Sequence, residues 1–201
     1  MAIPVSGSET SARGRPVLIE TARFNLRSLK PIDASERWLG WLNDPEVMHP
    51  TNAPARHLSR EQLGRYIAGF DNTHNYLIGI FDKTSRIQLG FFFIDVEAAH
   101  HTATFNVIIG EKSWWGKGVV NEARAALLDH FFDRLGMGKI CGGPLSRNFP
   151  AIFNYKAQGW IYEGTLRGQF KSVVDGSRLD QLRFRLLADE WHAIRRKAQR
   201  Q

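Results

Sequence analysis

The stretch IIGEKSWWGKGVVNEARAALLDHFF, residues 108–132, opens as an apolar strand, crosses a turn carrying Gly116 and Gly118, and closes as an amphipathic helix. A strand that hands over to a helix in this way leaves several backbone N–H groups unpaired at the helix start, all pointing in one direction. The positive end of the helix dipole lies behind them, so such a turn is suited to receive an anion. The two glycines let the backbone approach a bulky pyrophosphate, and Lys112 and Lys117 are placed to add charge at its rim. The spacing is neither the nucleotide-triphosphate loop GxxxxGK[ST] nor the dinucleotide GxGxxG, because Val119, Val120 and Asn121 follow Gly118. Beyond the turn, Val120, Ala123, Leu127 and Phe131 recur at helical spacing, which predicts a helix with one face on a sheet.

Working outward, residues 75–110 are rich in branched and aromatic side chains and are broken at DKTSR and EAAHH, which predicts three consecutive strands in an antiparallel meander. PVLIETARFNLRSL, residues 16–29, alternates around Phe24, Leu26 and Leu29 and reads as one strand. DASERWLGWLND sets Trp38, Leu39, Trp41 and Leu42 at helical spacing and stops before Pro45. SREQLGRYIAGF pairs Ser59 with Gln62 as a capping box ahead of Leu63, Tyr66, Ile67 and Phe70. After the central helix, KICGGPL reads as a short buried strand, PAIFNYKAQ as a helix with Pro150 in its first turn, and WIYEGTLRGQF and LDQLRFRLL as two closing strands. The order predicts a single α/β (α+β) domain: a mixed, largely antiparallel sheet of about seven strands with helices on it.

Composition narrows the chemistry. A chain of 201 residues with 43% hydrophobic content supports one domain with a real core. One cysteine, Cys141, forms neither an internal disulfide nor a CxxC metal cluster, and a reducing cytoplasm is the expected compartment. No run approaches the ~18 apolar residues of a spanning helix, so no membrane role is expected. The net charge of +7 suits an anionic partner, yet much of the excess lies in RGR near the start and in RRKAQRQ at the end. Residues 1–16 are expected to be a flexible arm and residues 192–201 a solvated basic tail, bracketing a domain over residues 17–191.

The glycine turn, with Trp115, Gly116, Lys117, Gly118, Val119 and Val120, resembles the [QR]-x-x-G-x-[GA] pyrophosphate loop of the GNAT superfamily of acyl-CoA N-acyltransferases. WWGKG followed by NEA is similar to the branch typified by the ribosomal-protein N-terminal acetyltransferases RimJ and RimL, in which an aromatic residue commonly takes the leading position. Val120 stands where Gly or Ala is usual. A second block, NFPAIFNYKAQGWIYEGTLR, is similar to N-x-x-A-x-x-L-Y-x-x-x-G-F through Asn148, Ala151, Tyr155, Gly159 and Trp160, with Asn154 in place of Leu. GWIYEGTLR and LLADEW echo the same branch, and the resemblance spans residues 17–191.

The resemblance implies acetyl transfer from acetyl-CoA to a primary amine by direct attack, without a metal. It implies that the fourth and fifth strands, ATFNVII and KICGGPL, splay apart to admit the pantetheine arm along the backbone of Val107, Ile108 and Ile109. Asn148 would hold that arm and Tyr155 would protonate the departing thiolate; read from the residue alone, Tyr155 is equally a helix anchor. Many relatives carry a glutamate base where Thr104 stands, which leaves His101, with His100, Asp95 and Glu111, as flanking candidates. The acceptor is a protein N-terminus, an amino sugar or another small amine. Residues 44–58 would wall its site, with Trp38, Trp41 and His49 available to it, although tryptophans at helical spacing also read as core. A second copy of the chain as partner is compatible with all of this. Two other classes compete: a catalytically silent acyl-CoA-binding module, supported by Val120 and Thr104, and a basic nucleic-acid binder, which needs stacking aromatics among its charges that the tails do not offer.

Overall fold

The computed structural model describes residues 13–200. Eight strands form one sheet in the order β1-β2-β3-β4-β5-β6-β8-β7. They are β1 (Leu18–Glu20), β2 (Phe24–Ser28), β3 (Asn75–Asp82), β4 (Gln88–Glu97), β5 (Thr102–Ile109), β6 (Lys139–Gly142), β7 (Ile161–Lys171) and β8 (Arg178–Leu187). The helices are α1 (Glu36–Asn43), α2 (Pro45–Met48), α3 (Arg60–Ala68), α4 (Val119–Asp129), α5 (Phe149–Ala157) and α6 (Ala188–Ala198). The sheet is antiparallel except where β5 and β6 run parallel. Among the described residues no helix is long and apolar enough to cross a membrane.

The sheet has eight strands instead of about seven because the first predicted strand is a hairpin. Its two arms pair Leu18 with Arg27 and Glu20 with Asn25, and the chain reverses at Thr21–Arg23. Thr21 drives the reversal: its Oγ1 accepts from the Phe24 N–H at 2.9 Å, and its own N–H donates to the Phe24 carbonyl at 2.8 Å. The turn Thr21–Arg23 carries no Gly, Pro, Asn or Asp, so no local punctuation in the sequence reveals it.

Two cores flank the sheet, following the period of two along its strands. On one face Phe24, Leu26, Ile78, Phe92 and Phe105 meet Ala123, Leu127, Leu128 and Phe131 of α4 and its continuation. On the other, Leu77 and Phe91 meet Trp38, Leu39, Trp41, Leu42, Leu63 and Ile67 of α1 and α3. Trp38 is fully buried and its ring lies 4.5 Å from that of Phe91, while the Trp41 indole sits so close to Gly110 that an added Cβ would lie 1.9 Å from it. These tryptophans are core, each worth roughly 3–5 kcal/mol against truncation to Ala. The capping box of α3 forms as predicted, with Ser59 Oγ accepting from Gln62 N and Gln62 Oε1 from Ser59 N.

Both expected termini differ from the sequence reading where they are described. Residues 1–12 of the expected arm lie outside the described residues, while Arg13 donates to the Ala68 carbonyl at 2.7 Å and Gly14 N–H to the Asp71 carbonyl at 2.8 Å. Residues 192–198, expected as a tail, continue α6, which is anchored by buried Trp191, its Nε1 donating to Asp129 at 2.8 Å. The basic side chains occupy the last turn of α6, where they complement its dipole.

The position of α4 is set by one carboxylate. Glu122 Oε1 accepts from Thr21 Oγ1 at 2.6 Å and Arg23 N at 2.9 Å, and Oε2 from Arg23 Nε at 2.6 Å. Arg23 Nη1 also reaches the Lys117 carbonyl at 2.9 Å, which pins the glycine turn to the β1–β2 hairpin. Partial burial pushes the Glu122 carboxyl upward, but the Thr21 and Arg23 hydrogen bonds outweigh it and hold the group below its ordinary range. A depressed carboxylate contributes stability that is complete above its unfolded pKa of about 4.3 and is lost as pH falls through the lower folded value. Glu122→Gln is therefore expected to lower Tm by roughly 2–6 °C at pH 7. The gap to wild type should close as calorimetry is repeated at progressively lower pH; a gap independent of pH would assign the effect to shape instead of charge.

Candidate active site

The site is made by strands that stop pairing. β5 and β6 pair over Thr102↔Lys139, Ala103↔Ile140 and Thr104↔Cys141 only, after which they separate. The splay expected between the fourth and fifth strands is therefore here, between the fifth and sixth. Within β5 the outward direction alternates. The Phe105 carbonyl accepts from Tyr155 Oη at 3.5 Å and the Ile109 carbonyl from Trp115 Nε1 at 2.9 Å, so both face the gap. Val107, between them, turns its N–H and C=O the same way, beyond the end of the β6 pairing, whereas Ile108 points its backbone toward β4.

A cleft of about 660 Å³ opens from this gap. Its first end is the glycine turn, where Gly116 and Gly118 both adopt φ of +72°, a region that side chains rarely enter. Gly118 is the N-cap of α4 and no side chain caps the helix, so the N–H groups of Val119, Val120 and Asn121 are left for a partner in the cleft that these residues line. Val119 is buried in the core, while Val120 is half-buried and lines the cleft instead of joining the packed stripe. Trp115 is 39% exposed and clamps the end of β5 with its indole.

The two lysines do not reach the cleft. Lys112 Nζ is bonded to Asp44 at 2.7 Å and Glu46 at 2.6 Å, which keeps it on the outer side of the turn and raises its pKa. Lys117 Nζ lies 5.6 Å from the Trp114 ring centroid, and Lys117 is absent from the cleft lining. The groups this end presents to the cleft are therefore backbone N–H groups.

At the centre stands Tyr155, buried on α5 with its ring stacked 5.1 Å from Phe184. Its hydroxyl lies between the Phe105 carbonyl and Gly142, where an added Cβ would come within 2.2 Å of Oη. The hydroxyl thus occupies the point where β5 and β6 part. Burial pushes its pKa up, against the opposing pull of Arg124, so Tyr155 is protonated and able to donate. Asn148 is the N-cap of α5: Oδ1 accepts from Ala151 N at 3.2 Å and Nδ2 donates to the Pro50 carbonyl at 3.3 Å. The second amide N–H is the group it has left for a ligand.

The other end is walled by Val47, Pro50, Thr51 and Asn52 from the α2 region and by Phe170 and Gln181 from the β7–β8 hairpin. Of the expected acceptor residues, Trp38 and Trp41 are core, and His49 is exposed outside the lining, with its carbonyl accepting from Arg147 at 3.1 Å. His101 is also misplaced as a base: it sits at the opposite end of β5, and five residues of strand separate it from Asn106 at the cleft, roughly 17 Å. Glu111 is bonded to Arg37, and His100 and Asp95 belong to the same remote end as His101. Among the described residues, no Asp, Glu or His lines the cleft. Cys141 is a small strand residue whose thiol burial pushes up, away from nucleophilic use.

Several lining residues carry no local sequence signal. Asn52 is buried in a left-handed turn with φ of 55° and bonds to Lys171 and Val173 across the chain, and Gln181 Nε2 bonds to Gly143. Arg124 is 1% exposed on the inner side of α4. Its only trace in the sequence is a charge interrupting the apolar stripe of NEARAALL.

The comparisons with known proteins agree with this geometry. The fold is shared with a spermidine N-acetyltransferase from Vibrio cholerae solved with CoA and spermine, at TM-score 0.74 and 22% identity over 84% of this chain and 98% of that one. It is shared equally with a ribosomal-protein-S5-alanine acetyltransferase from Vibrio fischeri, at TM-score 0.76 and 16% identity over 87% and 98%, and with a GCN5-related N-acetyltransferase from Brucella melitensis, at TM-score 0.77 and 16% identity over 93% and 86%. No curated protein sequence matches the chain. The profile of the acetyltransferase (GNAT) domain matches residues 23–154, about two thirds of the sequence, and the chain belongs to that acetyltransferase family.

Proposed function

We propose that the protein transfers an acetyl group from acetyl-CoA to an amine that reaches the cleft unprotonated, of the kind found at peptide N-termini and on amino sugars. The observation that carries this reading is the Tyr155 hydroxyl at the parting of β5 and β6, between the Phe105 carbonyl and Gly142. The uncapped N–H groups of Val119, Val120 and Asn121 would hold the pyrophosphate, and the outward N–H and C=O of Val107, with Asn148, would hold the pantetheine. Acetyl-CoA supplies a thioester whose carbonyl carbon accepts the amine and whose thiolate leaves. Tyr155 Oη gives the leaving sulfur its proton as the C–S bond breaks and the C–N bond forms; the proton shed by nitrogen returns to Tyr155 through water, so the balance closes. The aromatic residue at Trp115 supports placing the chain in the RimJ- and RimL-type branch.

The acceptor class follows from the cleft wall. With Val47, Pro50, Thr51, Asn52, Phe170 and Gln181 around it, the amine meets apolar and neutral polar groups. A polyamine would leave its remaining charges unpaired there. Among the described residues no Asp, Glu or His lines the cleft to act as a base, so the fraction of amine already neutral sets the rate. At pH 7.5 roughly a third of an α-amine with pKa near 7.8 is neutral, against roughly one in a thousand for an alkylamine near 10.4.

A panel of acceptors assayed across pH tests this. Peptides with free α-amines and amino sugars should be acetylated at neutral pH, while spermidine and lysine side chains should react poorly and gain about tenfold per pH unit. Equal rates for spermidine and a peptide at pH 7 would overturn the acceptor assignment. Tyr155→Phe keeps the ring and is expected to bind acetyl-CoA normally while losing about 10²-fold or more in kcat. Full activity in that variant would reduce Tyr155 to a helix anchor.

A further inference from the structure

Among the described residues, Arg124 is a charge buried without a counter-charge. Its Nε donates to Gln158 Oε1 at 2.6 Å, and its Nη2 to the Asn154 carbonyl at 2.9 Å and to Asn121 Oδ1 at 3.3 Å, so every acceptor is neutral. Gln158 is itself held by donating to the Asn121 carbonyl at 2.8 Å and by accepting from Trp160 Nε1 at 3.2 Å. The guanidinium is thereby fixed with its carbon 4.4 Å from the centroid of the Tyr155 ring and 5.2 Å from that of Trp160. Burying an ion among neutral partners costs stability, and a structural anchor of the same shape does not need the charge.

We propose that Arg124 is a positioning residue that acts through Tyr155, holding its ring and stabilising the negative charge that develops on the phenol as it gives up its proton. The inference rests on reading Tyr155 as the proton donor. When the O–H bond breaks, its electron pair stays on the phenol oxygen and the proton goes to sulfur. A fixed cation over the ring lowers the cost of that phenolate, as a preorganised charge aimed at the place where charge appears. The other titratable groups bearing on Tyr155 are Cys141 from β6 and Arg183 from β8. Cys141 opposes the effect and Arg183 assists it, but Arg124 outranks both. Burial pushes the Arg124 pKa down only to about 10, so the guanidinium remains charged across the working pH range.

Two variants remove the field in different ways. Arg124→Met keeps most of the volume and deletes the charge. Gln158→Glu keeps Arg124 and its Nε hydrogen bond but sets a carboxylate against the guanidinium, and it carries the test if Arg124→Met fails to fold by thermal unfolding. Each is expected to bind CoA, measured by calorimetry, within about twofold of wild type, to leave KM unchanged and to lower kcat by about ten- to a hundredfold. The loss should shrink with the acetyl thioester of an acidic arylthiol, which leaves without a proton. In a Tyr155→Phe background, either change should add little.

CoA binding weakened in step with kcat/KM would make Arg124 a ligand contact and overturn the proposal. An equal loss with both donors, or full additivity with Tyr155→Phe, would also overturn it. If Tyr155→Phe itself is fully active, the reading of Tyr155 as acid fails. If Tyr155→Phe is impaired while both field-removing variants are not, only the role given to Arg124 fails.

Discussion

The parting of β5 from β6 is the constraint on which the rest of the structure depends. Parallel strands lock both edges into evenly spaced hydrogen bonds, and a chain that kept pairing beyond Thr104 and Cys141 would have no cleft. Two features keep the strands apart. The Tyr155 ring is driven against β6 by its stack on Phe184, and only a glycine at position 142 leaves room for its hydroxyl. β6 is occupied on its other edge by β8, so it is held in the sheet without needing β5 along its whole length. The backbone groups that β5 loses to the gap are then the ones a ligand can use.

A second consequence is that charge in the cleft is rationed. At the glycine turn the cleft offers backbone N–H groups and no lysine, because Lys112 is bonded to Asp44 and Glu46 and Lys117 lies outside the lining. The wall at the opposite end is neutral. Glu122, the acidic residue in the first turn of α4, is turned away from the cleft and spent on holding the hairpin that fixes the turn. Among the described residues, Arg124 is the one formal charge lining the cleft, and it is buried beneath the phenol at its centre.

How much was legible in the sequence follows from the range of each interaction. The capping box at Ser59, the glycine turn, Pro150 in the first turn of α5 and the meander β3–β5 all depend on residues within a few positions of one another, and each is readable locally. The same holds for the register of Tyr155 with Asn148, which about two helix turns set. The hairpin within residues 16–29 escaped because its turn is made by a threonine hydroxyl, with no Gly, Pro, Asn or Asp to mark it. The basic end of the chain was read as a tail for a related reason: Trp191, whose indole bonds to Asp129 far earlier in the chain, anchors it as part of α6, and a charge run shows none of that.

By itself the sequence determined most of the strands and helices and the glycine turn, and with them the family, because those features are encoded in local backbone preference and periodicity. Only the tertiary structure decided which candidates meet. It took Trp38 and Trp41 into the second core, left His49 outside, set His101 at the far end of β5, and assembled one wall of the cleft from Asn52, Phe170 and Gln181. It also decided that Arg124 lies over Tyr155, thirty-one positions away. Side chains brought together by long-range packing leave no spacing in the sequence to read, since their proximity is a property of the sheet order and of the two helices laid upon it.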